Sequence, residues 1–147
     1  AYGSRQAAIS LATRAHSWLH VEAFDVVNLG WACPHLFVEW VLVARQTQPL
    51  LIGDDVVIGH KVVVHGCTIG NRVLVGIGAI VLDGVVVEDE VMIGAGAVVT
   101  PGKRLESGGL YVGNPARRVR ELTEAEVARI PAMASWYVAL KKDYEAP

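Results

Sequence analysis

Cysteine is nearly missing from this chain: Cys33 and Cys67 are the only two in 147 residues. Two are too few for a disulfide framework, so a reducing, cytoplasmic setting is expected. Charge is sparse as well. Charged residues make up 19% of the chain against 52% hydrophobic, and the net charge is −2. That balance gives no electrostatic hold on nucleic acid or on an anionic membrane. Long apolar runs are also lacking. The longest charge-free apolar region, residues 26–38, is cut by Asn28, Pro34 and His35, too short to span a bilayer. No basic start, apolar run and small-residue cleavage site occur in the order of a signal peptide. What the chain has in quantity is Val, Ile and Gly. These point to sheet structure with much of its surface hidden, as in an oligomer, and 147 residues suffice for one domain with a buried core.

The dominant pattern lies in residues 52–99. A β-branched residue recurs every six positions: Ile52, Ile58, Val64, Ile69, Val75, Val81, Val87, Ile93, Val99. Only the step from Val64 to Ile69 is five. The second position of a unit is often glycine (Gly53, Gly59, Gly70, Gly76, Gly94), and the fifth is small or β-branched. Six residues hold one short strand and a turn, but no helix. Stacked coils would then place the first and fifth residues inside, in columns that a single unit could not bury alone. The glycines, with Asp54, Asn71, Asp83 and Asp89, are expected to supply the left-handed conformations that corners need.

The chain divides into an atypical N-terminal segment, 1–50, a hexapeptide region, 51–100, a loop, 101–122, and a C-terminal helix, 123–147, all in one domain. The first segment has no clean period and is either degenerate coils or a separate wrapping. Residues 38–43 (VEWVLV) read as a strand, and residues 7–21 as a short helix or two poor strands. Thr123 and Glu126 form a capping box. Pro131 is expected to split the helix near Arg129. Met133, Tyr137, Leu140 and Tyr144 would give an apolar stripe packed along the coil, with Trp136 and Tyr137 anchoring it.

The short step is flanked by His60 and His65, in GHKVVVHGC. Neutral imidazole is a good zinc ligand, and three with a water make a catalytic site. A separation of five is odd, and odd separations on an extended strand face opposite sides. One chain therefore need not bring both to the same ion; if coils of neighbouring subunits pack side by side, each histidine could reach a different interfacial metal. The competing reading is two ordinary surface histidines, since HxxxxH is not a specific zinc signature. Cys67 reads more readily as a small buried filler than as a ligand.

The segment from IGDDVVIGHKVVVHGCTIG to GNPARRVRELTEAE resembles the gamma-class carbonic anhydrase-like proteins over residues 50–144. The resemblance implies a mainly β fold: a left-handed parallel β-helix of hexapeptide repeats with a C-terminal α-helix packed along it. It further implies a homotrimer with zinc, or another divalent metal, at subunit interfaces, and reversible hydration of the small molecule CO2 to bicarbonate. The family's ligands fall here on His60 and His65, at different sites, with an earlier histidine as the third. Ser17-Trp18-Leu19-His20-Val21 matches the motif of that third ligand, although His20 lies 40 residues before His60. His35, 25 residues before His60, suits the spacing better and is the alternative, with His16 behind both. Glu22 is the one acid near that motif and a poor match for a proton-shuttling glutamate. The family's RGD-like segment and NxQ-like pair have no counterpart before Leu50. Metal binding with weak or absent anhydrase activity is therefore expected. The alternatives are a hexapeptide acyltransferase, with the arginines of GNPARR serving acyl-CoA, and a non-catalytic trimeric scaffold.

Overall fold

The computed structural model describes residues 49–145, preceded by the backbone of three strand segments at 19–21, 27–28 and 41–43. In chain order the elements are β1 (Leu19–Val21), β2 (Val27–Asn28), β3 (Val41–Val43), β4 (Leu50–Ile52), β5 (Val57–Ile58), β6 (Val63–His65), β7 (Thr68–Ile69), β8 (Leu74–Val75), β9 (Ile80–Val81), β10 (Val86–Val87), β11 (Met92–Ile93), β12 (Val98–Val99), β13 (Arg104–Leu105), β14 (Gly109–Val112), β15 (Arg117–Glu121) and α1 (Glu124–Glu145).

Every third strand joins the same sheet. The orders are β1-β4-β7-β10-β13, β15-β14-β11-β8-β5 and β12-β9-β6-β3-β2. From β3 to β14 the pairing along each sheet is parallel, so the chain winds as a coil with three faces, consistent with the expected left-handed β-helix, an exception to the right-handed crossover rule. The short step is visible in the register. Across it, Ile52 pairs with Ile69 and Val64 with Val81, seventeen residues on. Beyond it, Ile69 pairs with Val87 and Val75 with Ile93, eighteen on.

Nine first-position residues from Ile52 to Val99 are buried, as are Val56, Val62, Val73, Ala79, Val85, Val91 and Ala97 of the fifth position. At the short step Cys67 takes the fifth-position place and is buried with them. The column continues past the β-branched run into Leu105 and Tyr111, both buried. Residues 101–122 are accordingly no loop. They hold the last coil strands and a hairpin in which β15 runs antiparallel to β14.

The corners differ from the expectation by one position. Left-handed φ falls on the fourth residue of a unit, at Asp55, Lys61, Arg72 and Glu90 as well as at glycines. The third-position side chains have another task. Asn71 Oδ1 accepts the Asp54 N–H at 2.9 Å, and Asp89 Oδ1 accepts the Asn71 N–H at 2.8 Å. The second-position glycines are required by contact with the next coil. A Cβ on Gly76 would lie 2.5 Å from the Ala95 nitrogen.

The helix is single: α1 passes through Pro131 without a break. Proline removes one intrahelical donor. Here Ile130 and Ala134, on either side of it, are both buried, and Ser135 Oγ donates to the Pro131 carbonyl at 2.8 Å. Packing thus holds the helical path across the missing bond. The capping box forms as expected: Thr123 N–H donates to Glu126 Oε2 at 2.9 Å, and Glu126 N–H to Thr123 Oγ1 at 3.3 Å. The helix lies beside Leu74 and Met92 of the second sheet, where Ile130 and Met133 line a groove. Trp136 is not the anchor: it is 58% exposed and stacks edge-on against Tyr137. No described helix is long and apolar enough to cross a membrane.

The first segment departs from the coil in part. β3 pairs parallel with β6 and continues the winding, whereas β1 and β2 add antiparallel to β4 and β3. The strand read at 38–43 is β3. Of the helix or strands read over 7–21, the described part is β1.

Candidate metal centre

β6 forms one face of its coil, and the two histidines stand at its two ends. His60 is a third-position residue, in the corner between β5 and β6. Its carbonyl accepts the Gly78 N–H at 2.8 Å, which ties that corner to the next coil. The His60 ring has no hydrogen-bond partner among the described residues. Lys61 follows it in the left-handed region, at φ 58°, exposed to solvent. Above the corner stands Ile77, 57% exposed.

His65 ends β6 and enters the corner before β7. There the five-residue step merges two corner roles in Gly66. Its carbonyl accepts the Gly84 N–H at 2.8 Å, as a third-position residue does, and its φ is 49°, as at a fourth position. One coil on is Asp83, a third-position acid. Elsewhere such residues accept a backbone N–H from the coil before; here the Asp83 carboxylate engages His65 Nδ1. An ionised carboxylate only accepts, so in the neutral imidazole Nδ1 carries the proton and Nε2 the lone pair. Imidazoles that bind metals are held in this way, with the other ring nitrogen on a carboxylate. The chemistry at His65 thus fits one ligand of a metal, not a whole site.

The two histidines occupy different edges of the coil, and the described residues include no group of three His, Cys, Asp or Glu side chains able to hold an ion. The site is incomplete within the described part of one chain. His20 lies in β1, in register with Leu51 of β4, which pairs in turn with Thr68, three residues after His65. Two strand spacings, about 10 Å, separate the His20 and Thr68 backbones. His16, Glu22 and His35 lie outside the described residues.

Cys67 has the opposite surroundings from the histidines. It is 2% exposed, on the inner column. Burial first, then the charge of Asp83, push its thiol up to about 12 against a backbone hydrogen bond at His65 that pulls it down. A thiol kept protonated is a poor ligand. Two of the nearby arginines are also spoken for. Arg118 pairs with Glu106 and Glu121, and Arg120 forms a two-pronged bond with Glu126. That pairing, with the Thr123 backbone, holds the Glu126 carboxyl down to about 2. Arg118 and Arg120 thus lace the hairpin to itself and to the helix start.

Asp83 is read from the sequence only as a corner residue, and its hold on His65 is missed. Its signal is the period: it lies eighteen residues after His65, one full coil.

Residues 66–101 match the model of a family described as bacterial transferase hexapeptide, six repeats. Protein YrdA of Escherichia coli is 60% identical over 97 residues, 66% of this chain and 53% of that protein, so the chain spans about half the relative's length. A protein of Methanocaldococcus jannaschii named as a probable carbonic anhydrase is 51% identical over 106 residues, 72% of this chain and 67% of that protein. Among solved structures, a hexapeptide transferase family protein from Anaplasma phagocytophilum superposes with a TM-score of 0.64 at 42% identity, over 65% of this chain and 57% of that chain. With its coil, its short step and these relatives, the chain belongs to the gamma-class carbonic anhydrase-like family of hexapeptide-repeat proteins.

Proposed function

We propose that the protein is a zinc-binding, gamma-carbonic anhydrase-like protein that acts as a homotrimer in the cytoplasm, with CO2 as its small-molecule substrate. One observation carries this reading: Asp83 holds Nδ1 of the His65 ring at a corner, and Nε2 has no partner among the described residues. His60, at the other end of β6, has a ring without a described partner. In a closed ring of three copies, His65 of one subunit meets His60 of the next, and His20 or His35 supplies the third imidazole. Bound zinc supplies a Lewis acid that lowers the pKa of water enough to give a nucleophile at neutral pH. The chain's own part is to orient the His65 imidazole through Asp83, to place His60 at the opposite corner, and to keep Cys67 out of the coordination. Hydration also needs a group that carries a proton to solvent. Glu22 is a weak candidate, so turnover is expected to be low. The test is metal content of the purified oligomer, repeated for His20→Ala and His35→Ala, beside a CO2-hydration assay. Loss of zinc in one variant names the third ligand; a well-folded, metal-free wild type overturns the reading.

The second reading is an acyltransferase using acyl-CoA. It is favoured by the transferase names of the matched family model and of the Anaplasma structure. Against it, Arg118 and Arg120 are already paired with carboxylates. Saturable acetyl-CoA binding by a zinc-free protein would decide for it. A scaffold without chemistry predicts that His60→Ala and His65→Ala alter nothing beyond the surface.

A further inference from the structure

We infer that Asp83 is the positioning residue of the site, and that the five-residue step exists to give it that role. The inference rests on the metal-binding reading for its purpose, but not for its geometry. Two third-position side chains of this coil, Asn71 and Asp89, face back to the coil before. Asn71 takes the Asp54 N–H and Asp89 takes the Asn71 N–H, each one coil back. At the short step the residue that would stand between His65 and Gly66 is missing. Gly66 supplies the carbonyl for the Gly84 N–H and also makes the left-handed turn. The carboxylate of Asp83 has the His65 ring as its neighbour instead, as both salt-bridge partner and hydrogen-bond acceptor. Both side chains are only part-exposed, His65 at 21% and Asp83 at 33%.

A neutral imidazole has two tautomers, and only the one protonated on Nδ1 offers Nε2 to a metal. An acceptor fixed on Nδ1 selects that tautomer and fixes the ring plane before any ion arrives. His60 has no such acceptor among the described residues. The two histidines of GHKVVVHGC thus differ in kind. His65 is set by its own chain one coil away, whereas no described residue sets the ring of His60. Deleting one residue from a repeat and keeping an acid eighteen positions later is therefore a single device.

The experiment is histidine-ring nitrogen NMR on the metal-free full chain at about pH 8.5, above the ordinary imidazole range. His65 is expected in the Nδ1–H form in the wild type and in Asp83→Asn, whose amide oxygen still accepts. In Asp83→Ala and Asp83→Ser it is expected to drift to the Nε2–H form favoured in water. His60 serves as the internal control and stays unchanged across the series. Zinc affinity measured alongside should fall on the order of 10- to 100-fold in Asp83→Ala and recover in large part in Asp83→Asn. A His65 ring in the Nε2–H form in the wild type, or one unmoved by Asp83→Ala, overturns the inference. A wild type that binds no zinc yet shows the fixed tautomer overturns the metal reading and leaves the role of Asp83 standing.

Discussion

The His60 corner and the His65 corner are built from the same repeat and end up with opposite properties. At the first, a full six-residue unit leaves room for a third-position residue, and that residue is the histidine itself. The backbone is pinned to the next coil by Gly78, while the ring is left without a described partner. At the second, one residue is gone, the histidine has moved back to the end of the strand, and the acid of the next coil holds its ring. A solenoid can therefore make two unlike half-sites from one motif by changing the length of a single turn. In the proposed trimer, symmetry would bring them together, one end of each subunit's β6 facing the other end of its neighbour's.

The largest effect expected tests that pairing directly. His60→Ala and His65→Ala should each lose essentially all zinc, measured by elemental analysis of the purified oligomer. Co-refolding the two variants should restore about one site in three within each mixed trimer, because one junction then has both histidines intact. No recovery on mixing would mean that the two corners do not share an ion.

Next come the glycines that set the corners apart. Gly59 precedes His60, and a Cβ there would lie 2.7 Å from the Ile77 nitrogen. Backbone cannot yield as a side-chain tip can, so Gly59→Ala should cost about 2–3 kcal/mol in denaturant unfolding. Beneath the other corner, the Cys67 thiol is held at about 12 from an ordinary 9.0. The folded state keeps that proton after the unfolded chain has released it. Stability from Cys67 is thus full below pH 9 and declines as pH rises from there towards 12, by about 1.4 kcal/mol per pH unit. Cys67→Ala should flatten the alkaline limb of a stability–pH curve and leave zinc content unchanged; loss of zinc would make the thiol a ligand after all. Smaller again is Gly66→Ala, where φ is 49° and a side chain is strained by about 1 kcal/mol. Lys61→Gly is the reverse experiment at the His60 corner, φ 58°. Relief of strain offset by the freer unfolded chain should leave it between neutral and about 1 kcal/mol more stable.

Much of the fold was legible because a single rule, one β-branched residue every six, holds for seven of the eight steps between nine residues. The rule stopped being visible where the chemistry of the position stayed and its residue type changed. Leu105 and Tyr111 lie in the same column, but neither is β-branched, so the last coil strands read as a loop. Pro131 misled for a different reason. Its cost is local, and the burial of Ile130 and Ala134 that outweighs it depends on the face beneath. The corners were misplaced by one residue because glycine has two uses, left-handed turns and close approach, that composition does not distinguish. Of the site, His60 and His65 were plain from the broken rhythm. Asp83 was not, since it is a neighbour only once the coil has closed. His20 is described in backbone alone, in β1, and His35 and Glu22 lie outside the described residues, so the third ligand rests on the resemblance.

The hairpin at the end of the coil has a consequence for life at high concentration. A parallel solenoid is a template: its last turn offers open strand edges on which another copy could keep stacking, end to end, without limit. On the second sheet that edge is β15, which runs the wrong way for further winding. All five of its residues are exposed, and four of them, Arg117, Arg118, Arg120 and Glu121, are charged. Charged edges discourage strand addition. The reversal that closes the hairpin therefore also works as a chain terminator, sparing a repeat built for stacking from growing into a fibre.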